Sequence, residues 1–297
     1  MNTRFELVLW GRDPDYLNAV GEEGLREIQA LEVQLSFYRE DSDIRMLNVV
    51  AGHRPVHVEP RLFRLLDRAR ELSDRTDRAF DPTVAPLLHA WGLTGAGGRV
   101  PTPEELDAAL QCSGFHQVEL DPEALTIRFR REGVSLDLGA IGKGYAIERV
   151  ADLIRDYEVP GALLHGGTST AYAVGGQPDG TAWQIALRDP TGASASLATV
   201  PLRDQALSVS ASHGKSFTVD GEEYGHVLDP QAGCPVTGAL LAAVRCASAT
   251  DSDALSTALL VRGSPFFPRL QELAPEASAL VLERTPHGET TTQRLHL

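Results

Sequence analysis

From Val118 onward, short strand-like runs succeed one another with few helical segments between them. Val118–Leu120, Leu125–Phe129 and Val134–Asp137 come in succession, with Asp121-Pro122 as a turn. One helix, roughly Ala140 to Tyr157, separates them from Ala162–Leu164, Thr170–Val174, Trp183–Leu187, Leu207–Ser210 and Leu241–Cys246. A helical run, Asp251–Leu260, and a closing strand, Ser278–Glu283, complete the pattern. A doubly wound parallel sheet needs strands and helices in alternation, so this order argues against it. The front of the chain is mostly helical. After an alternating strand, Phe5–Trp10, Asp13-Pro14 opens a helix striped by Leu17, Val20, Leu25, Ile28, Leu31 and Leu35. Pro60–Arg75 is a second amphipathic helix, and Thr102-Pro103-Glu104-Glu105 is a capping-box start for a third. Leu93–Pro101 reads as a Gly-rich surface loop, and neither a repeat nor a Ser/Gly/Pro linker divides the chain. The expectation is an α+β fold, with mixed or antiparallel sheets and packed helices, and residues 1–297 as a single domain.

A chain of 297 residues buries a sizeable core without staples. Its net charge of −14 argues against non-specific nucleic-acid binding, which needs a basic face. Such a charge still permits a phosphate ligand, held locally by a metal ion and oriented N–H groups. Nearly all basic residues are Arg; only Lys143 and Lys215 are Lys, so a lysine inside Gly142-Lys143-Gly144 stands out as a compact point charge. Cys112, Cys234 and Cys246 are odd in number and widely spaced, which disfavours a disulfide framework or a zinc site. The start, Met1-Asn2-Thr3-Arg4-Phe5-Glu6, lacks a basic run followed by an apolar one, and no stretch is long enough to span a bilayer. The expected location is the cytoplasm, with no membrane anchor in this chain.

Four polar segments interrupt the pattern. Phe80-Asp81-Pro82-Thr83-Val84, with Trp91-Gly92 beyond it, is a rigid loop around an acid and a hydroxyl, or else a helix cap. Asp137-Leu138-Gly139-Ala140-Ile141-Gly142-Lys143-Gly144-Tyr145 places an acid at a strand end, three glycines, a lysine and a helix start together. Free N–H groups and the helix dipole make that a phosphate site; the plainer alternative is a glycine-rich turn with a surface lysine. Neither a Walker A loop nor G-x-G-x-x-G fits it. His226-Val227-Leu228-Asp229-Pro230 offers a general base or a structural histidine. In Ala249–Leu260, Asp253 and Thr257 lie one helical turn apart, able to share a hard cation such as Mg²⁺; alternatively Asp251 or Asp253 caps the helix.

In order and content these segments resemble the ApbE family, the FAD:protein FMN transferases, over nearly the whole chain. Met1-Asn2-Thr3 looks like its M-G-T opening. Ser36-Phe37-Tyr38-Arg39, with Asp41-Ser42-Asp43-Ile44 and Leu47-Asn48, looks like its S-x-Y-R…S-x-I-x-x-L-N segment. Phe80–Val84 with Trp91-Gly92 matches F-D-P-T-V and W-G, Asp137–Tyr145 matches D-x-G-x-I-x-K-G-Y, and Gly166-Gly167 sits at the double glycine. His226–Pro230 matches H-I-x-D-P, and Asp253-Ala254 with Thr257 matches A-D-A-x-x-T, with Ser252 in place of its first Ala. One departure is clear: His165 and Thr168 flank the double glycine where the family carries Asn and Asp.

The resemblance implies a T-fold-like architecture and a set of residue roles. FAD contacts fall on Met1, Tyr38, Ala79, Phe80, Asp81, Asp137, Lys143, His226 and Val227. A Mg²⁺ site falls on Ala140 through its carbonyl, Asp253, Ser256 through its backbone, and Thr257. Lys143 and His226 are the expected catalytic residues, with Tyr38 and Phe80 packing on a ring of FAD. The activity implied is transfer of the FMN half of FAD to a Thr or Ser hydroxyl of an acceptor flavoprotein, releasing AMP. The alternatives are a Mg²⁺-dependent FAD pyrophosphatase giving FMN and AMP, and a flavin-binding protein without turnover.

Overall fold

A computed structural model describes residues 3–95, 97–212, 216–285 and 287–297. Strand β1 (Phe5–Trp10) leads into α1 (Pro14–Leu35), whose cap Asp13 accepts the N–H groups of Asp15 and Tyr16. The buried stripe runs through Val20, Gly24, Ile28, Leu31 and Leu35, and Leu25 is exposed, contrary to expectation. The reason is angular: position 24 lies a full turn from Val20, so the glycine and not its leucine neighbour faces inward.

The helical front continues with α2 (Asp43–Val50), a two-residue β2 (Val56–His57), α3 (Pro60–Arg75), α4 (Ala85–Ala90) and α5 (Pro103–Gln111). The Thr102/Glu105 capping box forms as the sequence indicates. Strands β3 (Val118–Asp121) and β4 (Thr126–Phe129) join β2 in a small antiparallel sheet. Then come α6 (Gly142–Asp156), β5 (Gly161–Gly166), β6 (Thr170–Val174), β7 (Trp183–Arg188), β8 (Ser196–Leu202) and β9 (Gln205–Ala211). A ribbon of β10 (Ser216–Val219) and β11 (Glu222–Gly225), then the pair β12 (Leu228–Asp229) and β13 (Cys234–Pro235), precede β14 (Ala239–Cys246). Helices α7 (Ala249–Arg262) and α8 (Phe267–Leu273) and strands β15 (Ser278–Arg284) and β16 (Thr290–Leu295) end the chain.

The main sheet has seven strands in the order β1-β5-β6-β9-β14-β15-β16, with every neighbour antiparallel. Both its faces are covered. Ala162 and Leu164 of β5 pack among Ile147 and Val150 of α6, while Leu163 between them packs with Leu187 and Val200 of the β7–β8 ribbon. That double burial explains why the central strands read as unbroken apolar runs such as Ala239–Val244 rather than as alternation. The expected α+β class with antiparallel sheets and packed helices is therefore what the chain adopts.

Two expectations need correction. Val134–Asp137 is not a strand and belongs to no sheet. Its backbone bonds go elsewhere: Leu136 N–H to the Asn48 side chain at 2.8 Å and Asp137 N–H to the Pro82 carbonyl at 2.7 Å. Ser278–Arg284 is not the last strand, because β16 pairs outside it. Thr290–Leu295 carries almost no apolar signal, as befits a sheet edge.

Candidate functional site

The first turn of α7 decides between the two readings of its acids. Ser248 is the cap, its hydroxyl accepting from Asp251 N–H at 3.1 Å. Asp251 turns to α3 and takes Arg68 through two bonds of 2.9 and 2.6 Å. Asp253 is thus neither cap nor surface charge; it is buried, 2% exposed. Its partners come from the start of α6. Gly144 N–H donates to Asp253 Oδ2 at 3.0 Å, and Lys143 Nζ lies 3.8 Å from Asp253 Oδ1. Lys143 Nζ also donates to the Gly139 carbonyl at 3.0 Å, which folds the lysine back over the turn.

Hydroxyls complete the α7 side. Thr257 Oγ1 donates to the Asp253 carbonyl at 3.3 Å, and Ser256 Oγ does so at 2.9 Å. Ser210 of β9 meets both, 2.8 Å from Ser256 Oγ and 3.1 Å from Thr257 Oγ1. Sequence reasoning places Ser210 in a strand but gives it no role; a lone serine in a strand carries no local signal of what it faces. Ala140 sits just before α6, whose first helical acceptor is Ile141, bonded to Tyr145 N–H at 3.0 Å. Its carbonyl therefore stands outside the helical ladder, where a ligand role costs no helical hydrogen bond. Ser256 is buried inside α7, where its own carbonyl belongs to that helix.

The approach to this turn is held by Asn48, which donates to the Leu136 carbonyl at 2.9 Å while accepting from Leu136 N–H. This reciprocal pair does for residue 136 what a neighbouring strand would do. Asp137 is next, its Oδ1 accepting from Gly139 N–H at 2.7 Å. Desolvation raises its carboxyl pKa above the ordinary value, against the pull of the Gly139 N–H and of Lys143. Tyr38 is 69% exposed and close enough to feel this acid. Local desolvation and, after it, the charge of Asp137 raise its phenol pKa.

A carboxyl whose pKa rises on folding binds its proton more tightly in the folded state, so its contribution is present below the unfolded value of 3.8 and lost as pH climbs through the raised one. Asp137→Asn keeps an acceptor for Gly139 but no ionisation. Its stability relative to the unmodified chain is expected to increase as pH rises from about 4 to 7. Urea denaturation at a series of pH values measures this, and a difference that does not vary with pH counts against it.

The Phe80-Asp81 loop forms differently from its expected use. Phe80 is 1% exposed and Ala79 is fully buried, both in the main apolar core. The Phe80 ring is thus unavailable to pack on a flavin or adenine; any contact there runs through the main chain. Asp81 is engaged as a cap: it accepts from Thr83 N–H at 2.9 Å and Thr83 Oγ1 at 2.5 Å, and pairs with Arg78 at 3.0 Å. His226 and Val227 rest on a different support, the connection from β11 to β12, with His226 half-buried and the Val227 carbonyl accepting from Val236 N–H at 2.9 Å. Trp91 braces both sides of it, its ring 5.5 Å from Tyr224 and its Nε1 donating to the Gly233 carbonyl at 2.7 Å. His165 is half-buried on β5, where desolvation lowers its pKa, and Thr168 is exposed. Met1 lies outside the described residues.

Among the described residues no group of three or more His, Cys, Asp or Glu side chains is placed to hold a metal ion. One buried carboxylate, hydroxyls and a carbonyl make a sparse, all-oxygen donor set, which suits a hard cation shared with phosphate oxygens and not zinc. The sequence pattern of the ApbE family matches residues 1–281. The chain belongs to the ApbE family. A relative from Treponema pallidum, named FAD:protein FMN transferase, is 32% identical over 262 residues, covering 83% of this chain and 72% of its own length. One of the same name from Vibrio cholerae is 28% identical over 268 residues, 89% of this chain and 79% of that protein. The crystal structure of the ApbE protein of Thermotoga maritima superposes with a TM-score of 0.88 at 28% identity, over 97% of this chain and 93% of that one. The apo flavinyl transferase ApbE of Pseudomonas stutzeri gives 0.84 at 27% identity, over 99% and 95%. These ApbE structures share the α+β arrangement that brings α6 and α7 together here.

Proposed function

We propose that this chain transfers the FMN half of FAD to a Thr or Ser hydroxyl of an acceptor flavoprotein and releases AMP. The observation that carries this reading is the meeting of Lys143 and the buried Asp253 at a helix start, in a chain whose relatives are named FAD:protein FMN transferases. Residues 1–297 act as one unit, since a single apolar cluster joins side chains from Leu31 to Val281.

Asp253 and Thr257, with the Ala140 and Ser256 carbonyls, are the residues to hold Mg²⁺. That ion, when bound, offsets the charge of FAD's two phosphates and the charge that develops during transfer. Lys143 places a further positive charge beside the leaving AMP phosphate. Tyr38 offers an exposed ring for a ring of FAD, and the Ala79–Asp81 main chain, Asp137 and Val227 line the remainder. His226 takes the proton from the acceptor hydroxyl. The hydroxyl oxygen then bonds to the FMN phosphorus, the bond to the AMP phosphate breaks, and AMP leaves with the electron pair.

No helix among the described residues is long and apolar enough to cross a membrane. All three cysteines are free thiols, with Cys246 buried and pushed up to about 12 by desolvation, and Cys234 exposed. An exposed free thiol fits a reducing compartment, and the cytoplasm is our reading. The acidic chain makes nucleic acid an unsuitable partner.

Incubation with FAD, Mg²⁺ and candidate acceptor flavoproteins is expected to add the mass of one FMN to the acceptor, read by intact-protein mass spectrometry. Rapid AMP release without any acceptor, and no adduct with one, would replace this reading by the pyrophosphatase. His226→Ala is expected to slow transfer by about 10²- to 10⁴-fold, the usual worth of a general base, while FAD affinity changes little. Equal losses in rate and affinity would make His226 a binding residue only.

A further inference from the structure

Helices α3 and α6 and the first turn of α7 line an open cleft of about 550 Å³, and none of the residues assigned to the flavin site is part of its wall. Tyr145 lines it. Tyr145 and Lys143 are two residues apart on α6, about 200° around the helix, so the cleft and the Lys143–Asp253 pair lie on opposite sides of it.

The wall is unusual for a chain of net charge −14, because Arg61, Arg64, Arg68 and Arg149 outnumber its three carboxylates. Each carboxylate is already engaged. Asp251 holds Arg68, Asp152 accepts from Arg149 Nη1 at 3.1 Å, and Glu148 accepts from the Ser248 hydroxyl at 2.9 Å and Thr250 N–H at 2.7 Å. Glu27 also meets Arg61 at 3.4 Å and Glu71 also meets Arg68 at 2.5 Å, which leaves Arg64 as the wall's one arginine without a carboxylate among the described residues. Arg149 Nε is buried without a hydrogen-bond partner. A guanidinium on this wall without a carboxylate partner calls for an acceptor-only, negatively charged group, and the planar fork of Arg matches phosphate oxygens. The volume is large enough for a nucleotide as well as for a free ion.

We propose that this cleft is a second anion site, which takes a phosphate group either free or carried on a nucleotide. It is independent of the flavin-transfer reading, and its test needs no turnover. Calorimetric titration with inorganic pyrophosphate and, separately, with AMP, both in chelator and without divalent metal, is expected to show one anion bound per chain. Binding should persist in Lys143→Ala and weaken about tenfold or more in Arg64→Gln, the worth of one charge-assisted contact. Arg149→Gln should weaken it similarly, and Arg64→Gln, at an exposed position, keeps the test valid if the second variant fails to fold. Tighter binding of AMP identifies a nucleotide as the ligand, and tighter binding of pyrophosphate identifies the free ion. Loss of binding in Lys143→Ala with none in Arg64→Gln puts the anion on the Gly139–Lys143 turn and overturns the proposal. So does the absence of binding of either probe at millimolar concentration.

Discussion

Asp253→Asn is expected to lower Mg²⁺-dependent flavin transfer by about 10³-fold, equivalent to roughly 4 kcal/mol of transition-state stabilisation. Asp253 is the one carboxylate in the proposed donor set, and its neighbours there contribute neutral oxygens. Removing its charge leaves Lys143 without the acid 3.8 Å away and leaves a cation with hydroxyls and carbonyls alone. Asparagine is the informative replacement because its amide oxygen still accepts from Gly144 N–H. The fold should therefore stay within about 1 kcal/mol, whereas Asp253→Ala would strand that buried donor at a cost of about 1–3 kcal/mol. Initial rates across a Mg²⁺ titration, with urea denaturation of the same preparations, separate metal loss from structural loss. A variant that keeps a rate within tenfold of the parent, with an unchanged Mg²⁺ requirement, would place the metal elsewhere.

How much of the fold is legible in the sequence depends on how local each signal is. Helix starts are readable because caps are short-range: Asp13-Pro14 and Thr102-Pro103 open α1 and α5 as their residues dictate. Strands buried on both faces are readable as apolar runs. The ribbons and edges are not: Thr290–Leu295 lacks both an apolar run and clean alternation, and Ser216–Val219 alternates over only four residues. Helix α2 escapes because its buried face is only Ile44 and Leu47. In the site, helical spacing places Asp253 and Thr257 on one face. It cannot show that Asp253 meets Gly144 and Lys143 from the other helix, nor that Ser210 closes the hydroxyl cluster. Phe80 shows the opposite failure. An aromatic beside a candidate site reads as a stacking ring, and only the packed core reveals that it points away.

Gly144→Ala is expected to damage the protein although alanine is the better helix former. A methyl on Gly144 would fall on the Ala249 carbonyl oxygen, and 2.8 Å from both that carbonyl's carbon and Asp253 Cβ. The obstacle is mostly the backbone of α7, which cannot swing aside as a flexible side chain can. Overpacking of this kind costs about 1–3 kcal/mol, more than the roughly 1 kcal/mol gained in helix propensity. The damage also reaches the chemistry, because α7 can relieve the clash only by withdrawing Asp253 from Lys143. Loss of activity should therefore exceed what the fraction unfolded explains. Gly142→Ala is the control, since its added methyl meets only ordinary contacts at 3.9 Å from Leu138 and 4.0 Å from Leu35. That variant is expected to fold with undiminished stability. If it also loses FAD affinity, Gly142 serves the approach of the phosphates, and of the two glycines flanking Lys143 only Gly144 serves the packing of α6 on α7. Equal stability of the Gly144→Ala and parent chains in urea would mean that the two helices are not in the close contact described.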